Sequence, residues 1–471
     1  MKAKRHALAD RREIVGHTQE TLAEFVGVEP TTVGRWERGE TFPQPWSRPK
    51  LAEALAVSVE QLDTMLAEGQ PVQKQQPVAG GSRNPHAANE PTDDPEHDPM
   101  LIAPWNYRGT VEAAAVLRGG DGRVKRRVFL SLTGPALTAP AHQWLVHEPE
   151  QLVSGLAGRR VPAAIADRLP AMIAELRGMD DVAGGGDVLS LAQFHFDWVA
   201  GLLDQASYGD ATGRKLHSAL AELGQLVGWV CYDTGQDGLA QRYYITALRA
   251  AHSADDRSLG AHILGSMATQ AACQGRPTEA VTLIETAVAG ARGQQTPRLL
   301  AALYIRQAYA FAALKDASAC TAAISQARTH VELSVKDDDP PYLYWVVPAA
   351  ITVGAGYGLL QLGQADRAAA MLDQGIAMFG APFNRDRQVS LTDLAEALAC
   401  PGKQRDLDAA AGKGIEAIDL ATNLSSARSV DRIRYLSRQL KPYAKVPAVR
   451  DFLERAKGFV ETYPRSFMPT V

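Results

Sequence analysis

The stretch GHTQETLAEFVGVEPTTVGRWERGETFP, from Gly16 to Pro43, decides how the chain begins. Gly16 breaks a first helix predicted over Ala7–Ile14, because glycine takes at little cost the backbone angles that end one. Thr18 is a good N-cap, and Thr21 three residues on has the spacing of a reciprocal capping pair. Leu22, Ala23, Phe25 and Val26 give a second helix an apolar face, and Gly27 ends it. Pro30 stands where a helix can start, since its fixed φ is already helical and its missing N–H is not needed there. Thr31–Arg38 follow as a third helix that Gly39 closes, with Val33 and Trp36 on its core side. Helices four and five are predicted at Arg48–Leu55 and Val59–Met65, with Ala52, Leu55, Val57 and Leu62 packing back.

Two short helices across a tight glycine turn make a helix-turn-helix. Residues 5–67 resemble the Cro-repressor-type (XRE) helix-turn-helix family, because Thr18-Gln19, Leu22-Ala23, Gly27-Val28, Val33, Trp36-Glu37 and Gly39 all fall at that family's spacing. The resemblance implies a five-helix domain whose third helix enters the major groove of a double-stranded DNA operator. Pro30, Thr31 and Thr32 stand on that helix's first turn, and Arg35 one turn on. Arginine reads guanine through paired bonds to O6 and N7, and threonine meets a thymine methyl or donates to an acceptor. Family members grip a phosphate at the position of Gln19. Arg38 and the arm Lys2, Lys4 and Arg5 are further phosphate candidates. One such domain reads a half-site, so a homodimer is expected. Gly34 inside the third helix and Glu40 after it depart from the pattern, and both lower the affinity expected of a single domain.

Charge and composition divide the rest of the 471 residues. Residues 1–69 carry 9 Lys+Arg against 11 Asp+Glu, so DNA contact must come from a few placed residues and not from a general basic field. Residues 70–100 are rich in Gln, Pro, Gly, Asn and Asp and poor in large apolar side chains, which predicts a disordered linker. Residues 101–187 are a mixed connecting region, in which Val124–Leu132 fits a short strand or a helix equally. The last region, 188–460, is rich in Ala and Leu at helical spacing, so the fold class is all-α.

That last region has a period. The small residues Ala240, Ala280 and Cys320 stand 40 apart, followed four residues on by Tyr244, Ile284 and Ile324 and seven on by Ala247, Ala287 and Ala327. Gly235, Gly275 and Lys315 stand five before, in a turn between helices. Twelve before the anchors come Gly228, Ala268 and Ala308. A fourth copy lies 48 residues further, with Gly356, Gly363, Ala368, Leu372 and Gly375. A weaker fifth uses Ala410 and Ala417, and Ser425–Lys457 would cap the array. The pattern is similar to tetratricopeptide repeats, whose small residues let paired helices approach closely, although the period exceeds the usual 34. The resemblance implies an α-solenoid whose first helices line a concave face. Trp229, Tyr232, His262, Tyr309 and Tyr357 fall at inward positions and make a groove for a peptide, a protein segment or a small signal molecule. The runs AHQWLVHEPEQLVSGLAGRR, LPAMIAELRGMDDVAGGG and AQRYYITALRAAHSADD resemble actinobacterial regulators that join the two parts. That likeness implies a cytoplasmic regulator of transcription.

Nothing in the chain reads as an enzyme or a cofactor site. There is no GxxxxGK[ST], HExxH or GxSxG, and the four cysteines Cys231, Cys273, Cys320 and Cys400 have no zinc-type spacing. Gly184-Gly185-Gly186 reads as a flexible loop, and Cys231 and Cys320 as packing residues. The uncharged stretch Pro340–Ala365 is long enough to span a bilayer, but Pro348, Gly354, Gly356, Gly358 and the repeat register argue for a soluble repeat. The second function class consistent with the sequence is an interaction scaffold whose helix-turn-helix no longer binds DNA.

Overall fold

The computed structural model describes residues 6–38, 48–55, 99–118, 130–149, 160–333, 339–380, 383–403 and 405–462, with single positions at 41, 43, 57, 62, 65, 66 and 158. The chain divides into two compact units, Met1–Glu90 and Pro91–Val471.

The first unit opens with α1 (His6–Ile14), α2 (Gln19–Val26), α3 (Pro30–Glu37) and α4 (Arg48–Ala54). Gly16 and Gly27 take φ of +82° and +83°, left-handed geometry that costs glycine little. Thr18 and Thr21 cap α2 reciprocally: the Thr21 N–H donates to Thr18 Oγ1 at 3.1 Å and the Thr18 N–H to Thr21 Oγ1 at 2.9 Å. Leu8, Leu22, Val26, Val33, Trp36, Leu51, Leu55 and Leu62 form one core. Phe25 is not part of it. It is 47% exposed, because Val26 takes the inward position one step on, and its ring lies 6.2 Å from that of His17. Most of the fifth predicted helix, the linker predicted at 70–100 up to residue 98, Gly39, Glu40 and the arm Lys2, Lys4 and Arg5 lie outside the described residues.

The second unit begins with α5 (Pro99–Ile102), α6 (Tyr107–Leu117), α7 (Pro135–Val146), α8 (Ala163–Ala166), α9 (Leu169–Ala183) and α10 (Gly185–Gln205). Six helix pairs follow: α11 (Asp210–Asp233) with α12 (Asp237–Ser253), α13 (Arg257–Cys273) with α14 (Pro277–Gly290), α15 (Pro297–Ala313) with α16 (Ala317–Leu333), α17 (Pro348–Gln361) with α18 (Ala365–Met378), α19 (Asn384–Ala399) with α20 (Leu407–Ala421), and α21 (Ala427–Leu440) with α22 (Pro447–Thr462). The described residues contain no strand, only an isolated bridge between Arg160 and Ser207.

The pairs pack as the period requires. Ala240, Ala280, Cys320 and Ala368 are fully buried in their second helices. A Cβ at Gly228 would stand 2.7 Å from the Tyr244 ring, and one at Gly356 would stand 2.6 Å from Leu372 Cγ. In these two pairs the small residue of the first helix therefore receives the large one four places after the anchor. The turns within the first four pairs need positive φ, supplied by Gly235, Gly275 and Gly363 at 78°, 71° and 74° and by Lys315 at 66°.

The helices before the pairs brace them. Trp144 of α7 fills a slot between α13 and α14 where Cβ atoms at Gly260 and Gly290 would come within 2.5 and 2.1 Å of its ring. Arg249 of α12 donates to the Pro104 carbonyl at 2.9 Å. The sixth pair returns to the first: Asp233 Oδ1 at the end of α11 accepts from Ser426 Oγ at 3.0 Å and meets Arg428 Nε at 3.2 Å. Gly184–Gly186 is not a flexible loop. Gly185 and Gly186 begin α10, and a Cβ on Gly185 would meet Val230 at 3.1 Å and one on Gly186 would meet Ser425 at 2.7 Å. Glycine is there because the backbones approach closely.

Candidate DNA interface and repeat-domain cavity

On α3 the buried side is Val33, Gly34, Trp36 and Glu37. The opposite side leaves Pro30, Thr31, Arg35 and Arg38 exposed, with Thr32 half-buried at the edge. Thr31 and Arg35 are four apart and Arg38 three further on, so they share one outward stripe. Glu29 gives α3 no side-chain cap.

Glu37 locks three helices together. Its Oε1 accepts from Arg12 Nε of α1 at 2.6 Å, and its Oε2 accepts from Gln19 Nε2 of α2 at 2.5 Å. Arg12 Nη1 also donates to the His17 carbonyl at 2.9 Å. The hydrogen bond from Glu37 raises the pKa of the Arg12 guanidinium against the effect of burial. Gln19 is thus oriented by a buried carboxylate, half-exposed at the start of α2. Gly34 makes room for this: a Cβ there would meet Arg38 Nη1 at 3.0 Å and Gln19 Oε1 at 3.3 Å. A Cβ there would ask these two side-chain ends to give by a few tenths of an ångström.

In the second unit, Trp229, Tyr232, His262, Tyr309 and Tyr357 all line one cavity of about 410 Å³. Tyr232 and His262 are buried, and the other three are half-buried with surface toward the cavity. Trp229 and Tyr232 stand edge to face at 5.7 Å between centroids, and Tyr309 and Tyr357 at 5.1 Å. Sequence reading missed the rest of the wall. Tyr342, Tyr344 and Trp345 come from the turn before α17, inside the uncharged stretch tested as a membrane span. Gly354 allows Tyr309 its place, since a Cβ there would stand 2.6 Å from the Tyr309 hydroxyl.

The wall is also charged. Arg385 pairs with Asp180 at 2.8 Å and faces Asp181 at 3.6 Å, while its guanidinium lies 5.7 Å from the Trp229 ring centre. Arg428 lies 5.0 Å from the same ring, and Arg432 pairs with Asp393 and Glu396. Burial pushes the Asp181 carboxyl up to about 6 and raises that of Asp180 against the pull of Arg385. Burial, helped by Arg306 and Arg177, holds His262 well below its ordinary value, so it is neutral. Among the described residues no group of acids, cysteines and histidines is arranged to hold a metal ion, and no helix is long and apolar enough to cross a membrane.

A family model described as a helix-turn-helix domain matches residues 5–65. No curated protein matches the chain. The match and the geometry of the first unit support a DNA-binding regulator.

Proposed function

We propose that the chain is a sequence-specific transcriptional regulator of the Cro-repressor type, acting as a cytoplasmic homodimer and not as an enzyme. Its second unit, read as a tetratricopeptide-like array of the kind joined to such domains in actinobacterial regulators, receives a signal in its cavity. The observation that carries the reading is the exposed stripe of Thr31, Arg35 and Arg38 on α3, backed by buried Val33 and Trp36. A helix presented in this way offers threonine and arginine to base edges while its other face is fixed to the domain. Gln19, held by Glu37 at the start of α2, is placed to orient a phosphate contact. In the cavity, aromatic rings with polar handles suit a ligand that is partly apolar and partly polar. Coupling between signal and operator runs both ways, so each changes the affinity for the other by the same factor.

The test is selection of bound genomic fragments with the full chain, followed by gel shifts across a salt series. Affinity should fall steeply with salt, and Arg35→Ala should weaken the selected site by about 1–3 kcal/mol and relax it at one base pair. A site preference that Arg35→Ala leaves unchanged overturns the base-reading assignment. The second reading, an interaction scaffold, draws on the near-balanced charge of residues 1–69; fragment selection that enriches no sequence would favour it.

A further inference from the structure

The five arginines of the cavity wall are not equivalent. Arg177 meets Glu222 at 2.9 Å, Arg385 meets Asp180, Arg428 meets Asp233, and Arg432 meets Asp393 and Glu396. Arg306 has no carboxylate within ion-pair distance among the described residues. It is 6% exposed. Its Nη1 donates to the His262 carbonyl at 3.0 Å and stands 3.3 Å from His262 Nδ1, a ring held neutral. Its guanidinium lies 4.8 Å from the centre of the Trp345 ring. Burial takes Arg306 down to about 10, so it stays charged at neutral pH. Gly265 gives it room, since a Cβ there would stand 2.8 Å from Nη1.

A second wall residue has an unsatisfied hydroxyl. Tyr342 is 5% exposed and lines the cavity, and its hydroxyl has no hydrogen-bond partner. Its ring lies 5.0 Å from that of His262, and the charged groups that act on its hydroxyl are Asp256, Glu222 and Arg177. A buried cation without a counter-charge is costly, and an anionic ligand group would relieve it. The cavity beside Arg306 is also lined by Trp345 and Tyr309, and 410 Å³ is the size of a small-ligand pocket.

We propose that the cavity binds a ligand ending in a carboxylate next to an aromatic or apolar body, the carboxylate held by Arg306 and the body by Trp345 and Tyr309. This rests on reading the cavity as the signal site. A free organic acid and the C-terminus of a short peptide present the same chemistry.

The experiment titrates the full chain, without DNA, with matched acids and amides: benzoate and benzamide, indole-3-acetate and indole-3-acetamide, and the peptide Ala-Ala-Phe and its C-terminal amide. Calorimetry reports binding for all three pairs, and tryptophan fluorescence adds a second readout for the non-indole pairs, because Trp229 and Trp345 line the cavity. At least one acid should bind ten-fold or more tightly than its amide, and which pair does so separates the free acid from the peptide. Arg306→Met should abolish the preference while leaving amide binding in place, and without ligand it should melt no lower than the parent. Tyr342→Phe, which removes only a hydroxyl acted on by Asp256, Glu222 and Arg177, should leave the preference in place. The proposal is overturned if no acid is preferred over its amide, or if the preference survives Arg306→Met. Because no DNA is present, such a failure leaves the regulator reading standing, and a failure to select DNA leaves this one standing.

Discussion

Single buried polar residues determine how each unit responds to change. Glu37 accepts from Arg12 and Gln19, so its loss leaves a buried guanidinium with only the exposed Glu13 carboxylate, at 3.3 Å, as a counter-charge. Breaking a buried pair from one side costs about 3–5 kcal/mol, and Glu37→Ala should destabilise the first unit by that order in urea unfolding. His217 acts through protonation. It is fully buried, neither ring nitrogen has a hydrogen-bond partner, and burial takes its pKa from 6.5 down to about 4. As pH falls, the unfolded chain takes the proton first. The stability His217 contributes is therefore present above about 6.5 and lost between 6.5 and 4, amounting to about 3 kcal/mol. Asp181 and Glu396, raised by burial to about 6 and 7, work in the opposite sense, since their contribution is lost as pH rises through those values. The net pH profile mixes these signs, so the test is a difference. The stability gap between His217→Leu and the parent should shift by about 2–3 kcal/mol in the variant's favour from pH 7 to pH 4.5. A gap that does not move would mean that the folded protein accepts the proton.

At the scale of helices and pairs, the fit of small residue against large one is decisive. Replacing glycine by alanine inside an exposed helix gains about 1 kcal/mol from propensity alone. At Gly228 the sign should reverse, because the new methyl would stand 2.7 Å from the Tyr244 ring and 3.2 Å from the Ala240 carbonyl. Overpacking of this kind costs about 1–3 kcal/mol, so Gly228→Ala should lower the urea midpoint, and adding Tyr244→Leu should recover part of the loss. An unchanged or raised midpoint for Gly228→Ala alone would refute the pairing. This constraint is also why the repeats were legible: an anchor that must be small and a turn that needs positive φ leave marks at fixed spacing, as at Ala240 and Gly235. The five groove residues were legible for the same reason, each standing on the first helix of a pair. Arg306 and Tyr342 were not, because what singles them out is a missing partner, which no spacing records. The bond from Ser426 to Asp233 joins residues 193 apart and leaves no local pattern. Gly184–Gly186 misled because a run of glycines reads alike whether it is loose or tightly packed. Phe25 misled because one helical step separates a core position from an exposed one.

For the whole molecule, the question is how one weak reading head becomes a specific one. On the proposed reading, a half-site read by Thr31, Thr32 and Arg35 distinguishes few base pairs, and the first unit has no net positive charge to add affinity. Two heads about 34–36 Å apart, one turn of DNA, would multiply the discrimination. The proposed homodimer therefore needs a self-complementary surface, and α10 offers one. Leu191, Phe194 and Trp198 lie on one face at helical spacing and are 39%, 63% and 39% exposed, unusual for side chains of that size. In a two-fold dimer this stripe would meet its own copy, so a charge placed at its centre would face the same charge across the axis. Phe194→Glu removes exposed apolar area and adds that repulsion, with little cost to the fold of the single chain because Phe194 contributes little to the core. Light scattering should give a dimeric mass for the parent and a monomeric mass for Phe194→Glu. In gel shifts the variant should lose affinity for a full two-half-site operator by ten-fold or more while keeping the parent's affinity for an isolated half-site. If the parent is monomeric with and without DNA, the homodimer fails. If Phe194→Glu remains dimeric, the contact lies elsewhere on the chain.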